Sequence, residues 1–321
     1  MEGIQFISQA FRFSMALLFG CTGEIITEKA GHLNLGTPGI MCMGAAGGCL
    51  GAYLYAQSTS NPIWILAILI PILFAIVFAG FMGLLYSFMT VTLRANQNVT
   101  GLMITTFSVG VANFIKSQFG TSIDGAISTL MVSFRAHLPF AENLGVFGQL
   151  FFSYGIMVYI AVAIAISCTV IFNKTRVGLH LRAVGESPAT ADAAGINVTA
   201  YKYIATIIGS AISGLGGLFY TLDWNGAWDS GLNATQAIGW LAVALVIFVM
   251  WKPNFAILGS FIFGTLYMLP NYLDVSFAMR DLIQMLPYVV TILVLVITSI
   301  EDSKNSQPPA SLGLNYFREE R

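Results

Sequence analysis

Long apolar segments recur along this chain and restrict its fold more than any other feature. Each is about twenty residues long, the length that an α-helix needs to cross ~30 Å of hydrocarbon. Only helices and closed barrels satisfy all their backbone hydrogen bonds in lipid. We therefore predict an all-α polytopic membrane protein with about nine transmembrane helices, eight to ten being allowed. The predicted spans are roughly 4–22, 34–56, 62–92, 98–118, 151–173, 202–222, 236–251, 254–272 and 281–300.

Composition agrees with this prediction and excludes other classes of protein. Hydrophobic residues make up 56% of the 321 residues and charged residues only 9%, which is far from the composition of a soluble domain. The net charge of −1 provides no basic surface for nucleic acid. We predict a single transmembrane domain over residues 1–300, followed by a polar, mobile cytoplasmic tail over 301–321.

Basic residues collect in some connections only, and this asymmetry predicts the orientation of the chain. Cytoplasmic loops carry an excess of Lys and Arg near the ends of spans. The segment 174–202 contains Lys174, Arg176, Arg182 and Lys202, so we place it in the cytoplasm. The segments 120–149, with Arg135 alone, and 221–236, with no Lys or Arg, are placed outside. Alternating the spans from this anchor puts 24–32, 94–98, 251–252 and the tail on the cytoplasmic side.

A short polar stretch, LRAVGESPATADAAGINV at 181–198, interrupts the apolar sequence. Ser187 is a good N-cap, Pro188 suits the first helical position, and Gly195 suits the left-handed position after the last turn. These residues predict a helix of about seven residues, ~10 Å long and too short to span the membrane. Its alanines suit close docking into a groove on another protein, with Arg182 and Glu186 setting the register. A solvated connecting loop is the alternative.

Several polar side chains lie within or beside the spans. Polar groups at that depth face a cavity or a partner helix rather than lipid. The candidates for the lining of a substrate path are Asn34, Gly36, Asn98, Thr105 and Asn113. Hydrogen bonding between helices is the alternative role for each polar side chain among them.

Charged residues near the first span have less specific interpretations. Arg12 lies within that span, where it either snorkels to the interface or meets a path or a partner. Glu24 and Glu28 are expected to be solvated where the span emerges. His32 and His180 are isolated and are expected to be ordinary loop residues.

The motifs of several other functional classes are missing. The sequence has no G-x-x-x-x-G-K-[ST] motif for binding ATP and no H-E-x-x-H motif for a metalloprotease. An ion-driven transporter would more often carry ionisable residues deep in several spans. The cysteines lie in apolar runs without a CxxC pair, so neither a metal site nor a disulfide is expected. They are Cys21, Cys42, Cys49 and Cys168.

Five segments, in order along the chain, resemble one family of transporters. The segments are AGHLNLGTPGIMCMGA at 30–45, LRANQNVTGLMI at 93–104, TRVGLHLRAVGESPATADAAGINV at 175–198, SGLGGLFYTL at 213–222 and KPNFAILGSFIFG at 252–264. They are similar to permease subunits of ATP-binding-cassette importers, in the branched-chain amino acid, ribose and nucleoside permease family. The nucleoside and simple-sugar branch is the most similar. That branch usually carries an apolar residue, Glu and Gly after Asn-Leu-Gly, whereas Thr37 and Pro38 depart from this pattern here.

The resemblance implies partners, a substrate class and a location. Two permease subunits would enclose the path, two ATPase domains would dock in the cytoplasm, and an extracytoplasmic binding protein would deliver the substrate. ATP would bind to the ATPase, so no cofactor is expected in this chain. We expect a nucleoside as substrate, a simple sugar as runner-up and a branched-chain amino acid third. We also expect a different, longer second permease and a multi-pass location in the bacterial plasma membrane.

In such an importer, the segment 174–202 would be the loop that couples the permease to the ATPase, and we call it the coupling loop. The residues expected to contact the ATPase are Arg182, Gly185, Glu186, Ser187, Pro188, Ala191, Ala194 and Gly195.

Two other functional classes remain as alternatives to an importer permease. They are a secondary transporter or channel and, less favoured, a membrane enzyme.

Overall fold

The computed structural model of the chain describes residues 2–59, 61–137, 145–228, 232–273, 275–301 and 307–317. The regular structure in these ranges is helical, without a β-strand, so the predicted all-α fold is confirmed. The α-helices are α1 (Glu2–Lys29), α2 (Thr37–Ser58), α3 (Trp64–Ser87), α4 (Gln97–Phe119), α5 (Thr121–Phe134), α6 (Gly145–Phe151), α7 (Ile156–Lys174), α8 (Arg176–Glu186), α9 (Pro188–Ala193), α10 (Val198–Leu218), α11 (Leu232–Phe248), α12 (Pro253–Met268), α13 (Phe277–Gln284) and α14 (Leu286–Glu301). Helices α3 and α10 continue into π-helical segments, Phe88–Thr92 and Phe219–Asn225.

Eight helical segments among the described residues are long and apolar enough to cross a membrane. They are Gly3–Lys29, Thr37–Ser58, Trp64–Thr92, Gln97–Phe119, Ile156–Lys174, Val198–Asn225, Pro253–Asn271 and Met279–Ile297. Helix α11 is apolar and has 17 residues. Since α10 ends at the opposite end of the bundle from the start of α12, α11 between them must also cross. The described residues therefore form nine crossings, the number that the apolar segments predict.

Helices α1, α2, α3 and α10 form the centre of the bundle, and glycines allow two of them to meet closely. A Cβ atom on Gly217 of α10 would overlap the carbonyl oxygen of Met41 in α2. A Cβ on Gly44 would likewise overlap the backbone of Gly214. Without a hydrophobic drive between helices in lipid, such close approach supplies the van der Waals contact that holds them together.

The segments that are predicted to be cytoplasmic lie at one end of the bundle, where hydrogen bonds connect them. The amide of Ser311 in the tail donates to the carbonyl of Gly185 in the coupling loop, at 3.0 Å. The amide of Gly313 donates to the carbonyl of Gly31 after α1, at 3.3 Å. The side chain of Gln97 reaches the carbonyl of Leu314 at 3.2 Å. The grouping of these segments on one side is thus as the orientation predicts.

The opposite end contains the segments that are predicted to lie outside. Arg135 follows α5, and its Nε donates to the carbonyl of Asp223 at 2.7 Å. Arg12 of α1 forms an ion pair with the carboxylate of Asp223, with an N–O distance of 2.6 Å. Arg12 therefore has a partner within the chain, which is one of its expected roles. The outer connection 120–149 also contains α5 and the start of α6. The buried face of α5 includes Ile123, Ile127 and Leu130.

The expectation that Glu24 and Glu28 are solvated is wrong, and His32, which lies in the loop after α1 as expected, is buried with them. All three side chains are buried, because α1 continues to Lys29 inside the bundle. Glu24 accepts a hydrogen bond from the hydroxyl of Thr37, and Glu28 accepts one from the indole N–H of Trp251. His32 Nδ1 lies 2.8 Å from the hydroxyl oxygen of Thr206.

Candidate functional site

The coupling loop contains the short helix that its capping residues predict. Helix α9 has six residues, begins with Pro188 at its first position, and is capped by Ser187. The hydroxyl of Ser187 accepts a hydrogen bond from the amide of Thr190 at 3.4 Å. After the helix, Gly195 has a φ of +83°, in the left-handed region that favours glycine. The predicted helix and both of its ends are confirmed.

One predicted docking residue of α9 faces this chain instead of a partner. Ala191 is only 3% exposed and packs in a small apolar cluster with Val184 and Val198. The exposed face of the segment is formed instead by Ala189, Thr190, Ala193, Ala194 and Gly195. The prediction that Ala191 enters a partner's groove is therefore wrong, because the side of a helix that faces its own core depends on tertiary packing. Ala194 and Gly195 remain accessible.

The end of α8, in the middle of the coupling loop, is attached to the rest of the chain rather than free. Gly185 is buried, and a Cβ there would overlap the carbonyl of Lys29 at the end of α1. Its own carbonyl accepts a hydrogen bond from the hydroxyl of Ser311 at 2.5 Å. Glu186 is exposed but accepts a hydrogen bond from the amide of Ala310 at 3.2 Å. Arg182 is exposed at the same end. A contact of Gly185 with the ATPase would need it to leave these neighbours.

The tail is not free over residues 307–317, so the prediction of mobility is wrong for that part. The hydroxyl of Tyr316 donates to the carboxylate of Asp192 in α9 at 2.8 Å. The amide side chain of Asn315 donates to the carbonyl of Arg94 at 2.8 Å. These contacts join the tail to the coupling loop and to the connection between α3 and α4. Residues 302–306 and 318–321 of the predicted tail lie outside the described residues.

The candidate path residues fall into two groups. Asn34, Gly36 and Thr105 are buried together between α2 and α4. Asn34 Oδ1 accepts a hydrogen bond from the amide of Gly36 at 3.0 Å, and the Thr105 hydroxyl donates to the carbonyl of Leu35 at 2.9 Å. The polar atoms of Asn34 and Thr105 thus bond to the backbone that leads into α2. A role for this first group in the path stays a prediction.

The other two candidates, Asn98 and Asn113, lie on exposed surfaces of α4. Asn113 belongs to a row of polar or small residues along α4 that the sequence analysis did not identify. The row consists of Thr106, Gly110, Asn113 and Ser117, all of which are exposed. Their spacing of four, three and four residues puts them on one face of the helix, so the sequence contained the signal. We call these residues the α4 stripe.

Comparison with known proteins identifies the kind of molecule to which this geometry belongs. Residues 6–295 match the family described as the permease component of the branched-chain amino acid transport system. The chain belongs to this permease family. It is a multi-pass protein of the bacterial plasma membrane, and its coupling loop is part of a permease.

Individual relatives cover nearly the full length of the permease. It is 29% identical to the nucleoside ABC transporter permease protein NupC of Lactococcus lactis subsp. cremoris (strain MG1363), over 95% of this chain and 94% of that protein. It is 32% identical to the putative glucose ABC transporter permease protein TsgC13 of Haloferax volcanii, over 78% and 72%. It is 29% identical to the guanosine ABC transporter permease protein NupQ of Bacillus subtilis (strain 168), over 88% of each chain. No solved protein structure matches the permease.

Proposed function

We propose that this permease is the membrane subunit of an ATP-binding-cassette importer that moves nucleosides into the cell. The observation that carries the proposal is the alignment with two permeases named for nucleosides and guanosine, along 88% or more of both chains. Simple-sugar import is the second candidate, because the glucose permease of Haloferax volcanii is 32% identical over a shorter region. Branched-chain amino acids rank third.

The energy for import comes from a separate ATPase subunit. The sequence lacks a P-loop, so this chain has no site of that type for ATP. Helix α9 supports docking of such a subunit, because it is short, capped at both ends and exposes small residues at the predicted cytoplasmic end. Small side chains let a groove of a partner approach the backbone of Ala193 and Ala194 closely. Closure of the ATPase pair would then move α9 as a rigid element.

The substrate path lies between this permease and a second permease subunit, and the α4 stripe faces it. Asn113 exposes a polar amide on a helix whose other exposed side chains include Phe107 and Phe114. An amide that faces lipid within a membrane-spanning helix is energetically costly. A water-filled path or a partner helix is therefore the more favourable environment for Asn113. The second permease is a different, longer chain, and an extracytoplasmic binding protein delivers the substrate to the pair.

Transport by the reconstituted complex tests this proposal. Proteoliposomes contain both permeases and the ATPase, with the binding protein outside and ATP inside, and uptake of labelled guanosine, glucose and leucine is compared. We expect guanosine uptake that requires ATP and the binding protein. Uptake of glucose alone would move the assignment to the sugar branch. Uptake by this chain alone, driven by an ion gradient without ATP, would overturn the importer assignment.

A further inference from the structure

A cavity of about 390 Å³ opens at the predicted cytoplasmic end, between the coupling loop, the end of α3 and the tail. This volume lies within the usual range of small-molecule sites, ~300–1,000 Å³. The Asp192 side of α9 and the first turn of α10 form one wall. Asn315 and Tyr316 of the tail form part of the rim. Gly195 also lines the cavity, whereas Ala193 and Ala194 of the exposed face of α9 do not.

Lys202 is the most informative residue of this cavity. Its side chain is only 3% exposed, and it lines the cavity from α10. Within the part of the chain that the structure describes, no hydrogen bond or ion pair joins Lys202 to another residue. A buried ammonium group without a partner is costly, so an anion in the cavity would stabilise it.

A second cation lines the same cavity, and the tail holds its backbone in place. Arg94 has a φ of +57°, an unusual conformation for a residue other than glycine, and its carbonyl accepts the hydrogen bond from Asn315. Its guanidinium lies over the ring of Phe317, 4.8 Å from the ring centroid. A guanidinium presents several N–H donors in one plane, which suits the oxygens of a phosphate group.

The start of α10 adds a third contribution of the same sign. Asn197 caps this 21-residue helix, and its side chain accepts a hydrogen bond from the amide of Ala200 at 3.0 Å. The amides of Val198 and Thr199 in the first turn have no acceptor within the helix. Both residues line the cavity. A helix N-terminus carries a partial positive charge and is a common site for phosphate groups.

The remaining charged or titratable groups leave the cavity positive overall. Asp192 lines it, but its carboxylate already accepts the hydrogen bond from Tyr316. His32 also lines it, and burial together with the nearby charge of Lys202 holds the pKa of His32 well below its usual value. His32 is therefore neutral at physiological pH. Two cations and one carboxylate face the cavity among its lining residues.

We propose that this cavity is a cytoplasmic binding site for a phosphate-bearing anion, held by Lys202, Arg94 and the N-terminus of α10. The cavity leaves room for the group that carries the phosphate, with Thr90, Asn197 and Asn315 as further hydrogen-bonding groups. The phosphate belongs either to a soluble phosphomonoester of the cytosol or to a phospholipid headgroup. Since α9 and the tail both border the site, its occupant touches the segment that we assign to coupling.

Equilibrium dialysis of the full-length, delipidated permease in detergent tests the site. The probe is radiolabelled ribose 5-phosphate, and unphosphorylated ribose is the ligand control. We expect saturable binding of the phosphorylated sugar only. Lys202→Gln should weaken binding by about tenfold or more, because it removes a charge-assisted hydrogen bond in a buried site. Arg94→Gln should weaken it by several fold, and Lys174→Gln, an exposed lysine outside the cavity, should bind as the wild type does.

Two further measurements keep the outcome clear. The elution volume and the thermal midpoint without ligand show whether each variant is folded. If Lys202→Gln is not folded, Arg94→Gln tests the site instead, because Arg94 is exposed. Phosphorus analysis of gently purified protein distinguishes the sources. A phospholipid headgroup is identified if the wild type retains phospholipid, Lys202→Gln does not, and ribose 5-phosphate binds only after delipidation. A soluble ligand is identified if ribose 5-phosphate binds to the wild type without delipidation. Equal affinity of the wild type, Lys202→Gln and Arg94→Gln, or no binding of either kind of phosphate, would overturn the proposal.

Discussion

At the scale of single residues, the outer end of the bundle depends on an ion pair between Arg12 and Asp223. The side chain of Asp223 is fully buried, whereas that of Arg12 is 26% exposed. Arg12 also donates to the backbone carbonyl of Asp223 at 2.6 Å, and its guanidinium lies 5.8 Å from the ring centroid of Trp224. The pair thus fixes the end of α10 against α1.

Removing one member of this pair should cost more than removing both. Arg12→Leu leaves a buried carboxylate without its closest cation, and such losses cost about 3 kcal/mol. We expect Arg12→Leu to lower the thermal midpoint in detergent clearly, and the double variant with Asp223→Leu to lower it less. Arg135 bonds to the backbone carbonyl of residue 223, which the double variant keeps. Additive losses in a double-mutant cycle would mean that the pair contributes nothing specific.

A second prediction at this scale concerns His32 and pH. Burial lowers the pKa of His32 well below 6.5, and Lys202 adds to this effect. Below about pH 6.5 the unfolded chain therefore takes up a proton at this residue that the folded chain does not, so His32 destabilises the folded state as the pH decreases. We expect the thermal midpoint of the wild type to fall relative to that of His32→Gln as the pH decreases from 7 to 5, since the variant can keep a hydrogen bond to Thr206. Equal slopes for the two proteins would contradict this.

At the scale of elements, α9 combines a face that packs on its own chain with a face that is open. Ala191 belongs to the first face and Ala193 to the second. Ser187, Pro188 and Gly195 set where the helix begins and ends, and the tail then attaches to it through Asp192. A change on either face of the same short helix should therefore have a different effect.

A matched pair of tryptophan variants separates the two faces. Ala193→Trp should leave expression and thermal stability nearly normal, but should reduce ATP-driven uptake and binding of the ATPase, because the bulky ring blocks close docking. Ala191→Trp should instead lower stability by about 1–3 kcal/mol, since it overpacks a filled apolar cluster. Thermal midpoints, co-purification of the ATPase and uptake are measured for both. If Ala193→Trp retains full ATPase binding and uptake, α9 is a capped connection and does not transmit the closure of the ATPase.

At the scale of the whole molecule, the bundle is held by close helix contacts that only glycine permits. A Cβ atom on Gly217 would overlap the backbone of Met41, whereas a Cβ on Gly80 of α3 would lie 3.8 Å from its nearest neighbour, Ile207. Replacing each of these two glycines by alanine therefore separates the effect of close helix packing from the effect of the amino-acid change itself. Both lie in helices of the central group.

We expect Gly217→Ala to reduce the amount of folded permease severely, because the added methyl group must push α10 away from α2. Gly80→Ala should be tolerated, because the new methyl group has room and alanine has the higher helix propensity, so it serves as the control. Fluorescence-detected size-exclusion chromatography of membrane extracts measures both variants. A normal monodisperse peak for Gly217→Ala would show that the two helices separate at little cost.

The sequence by itself determined the membrane-spanning helices, the grouping of their connections at two ends of the bundle and the capped helix of the coupling loop. These features depend on the length of apolar segments, on where Lys and Arg collect, and on caps that act within a few residues. Only the tertiary structure decided which polar groups are buried, that Ala191 faces inward and that the tail docks. Such outcomes depend on the rotation of each helix and on residues far apart in the chain, as with Arg12 and Asp223, which are separated by 211 positions.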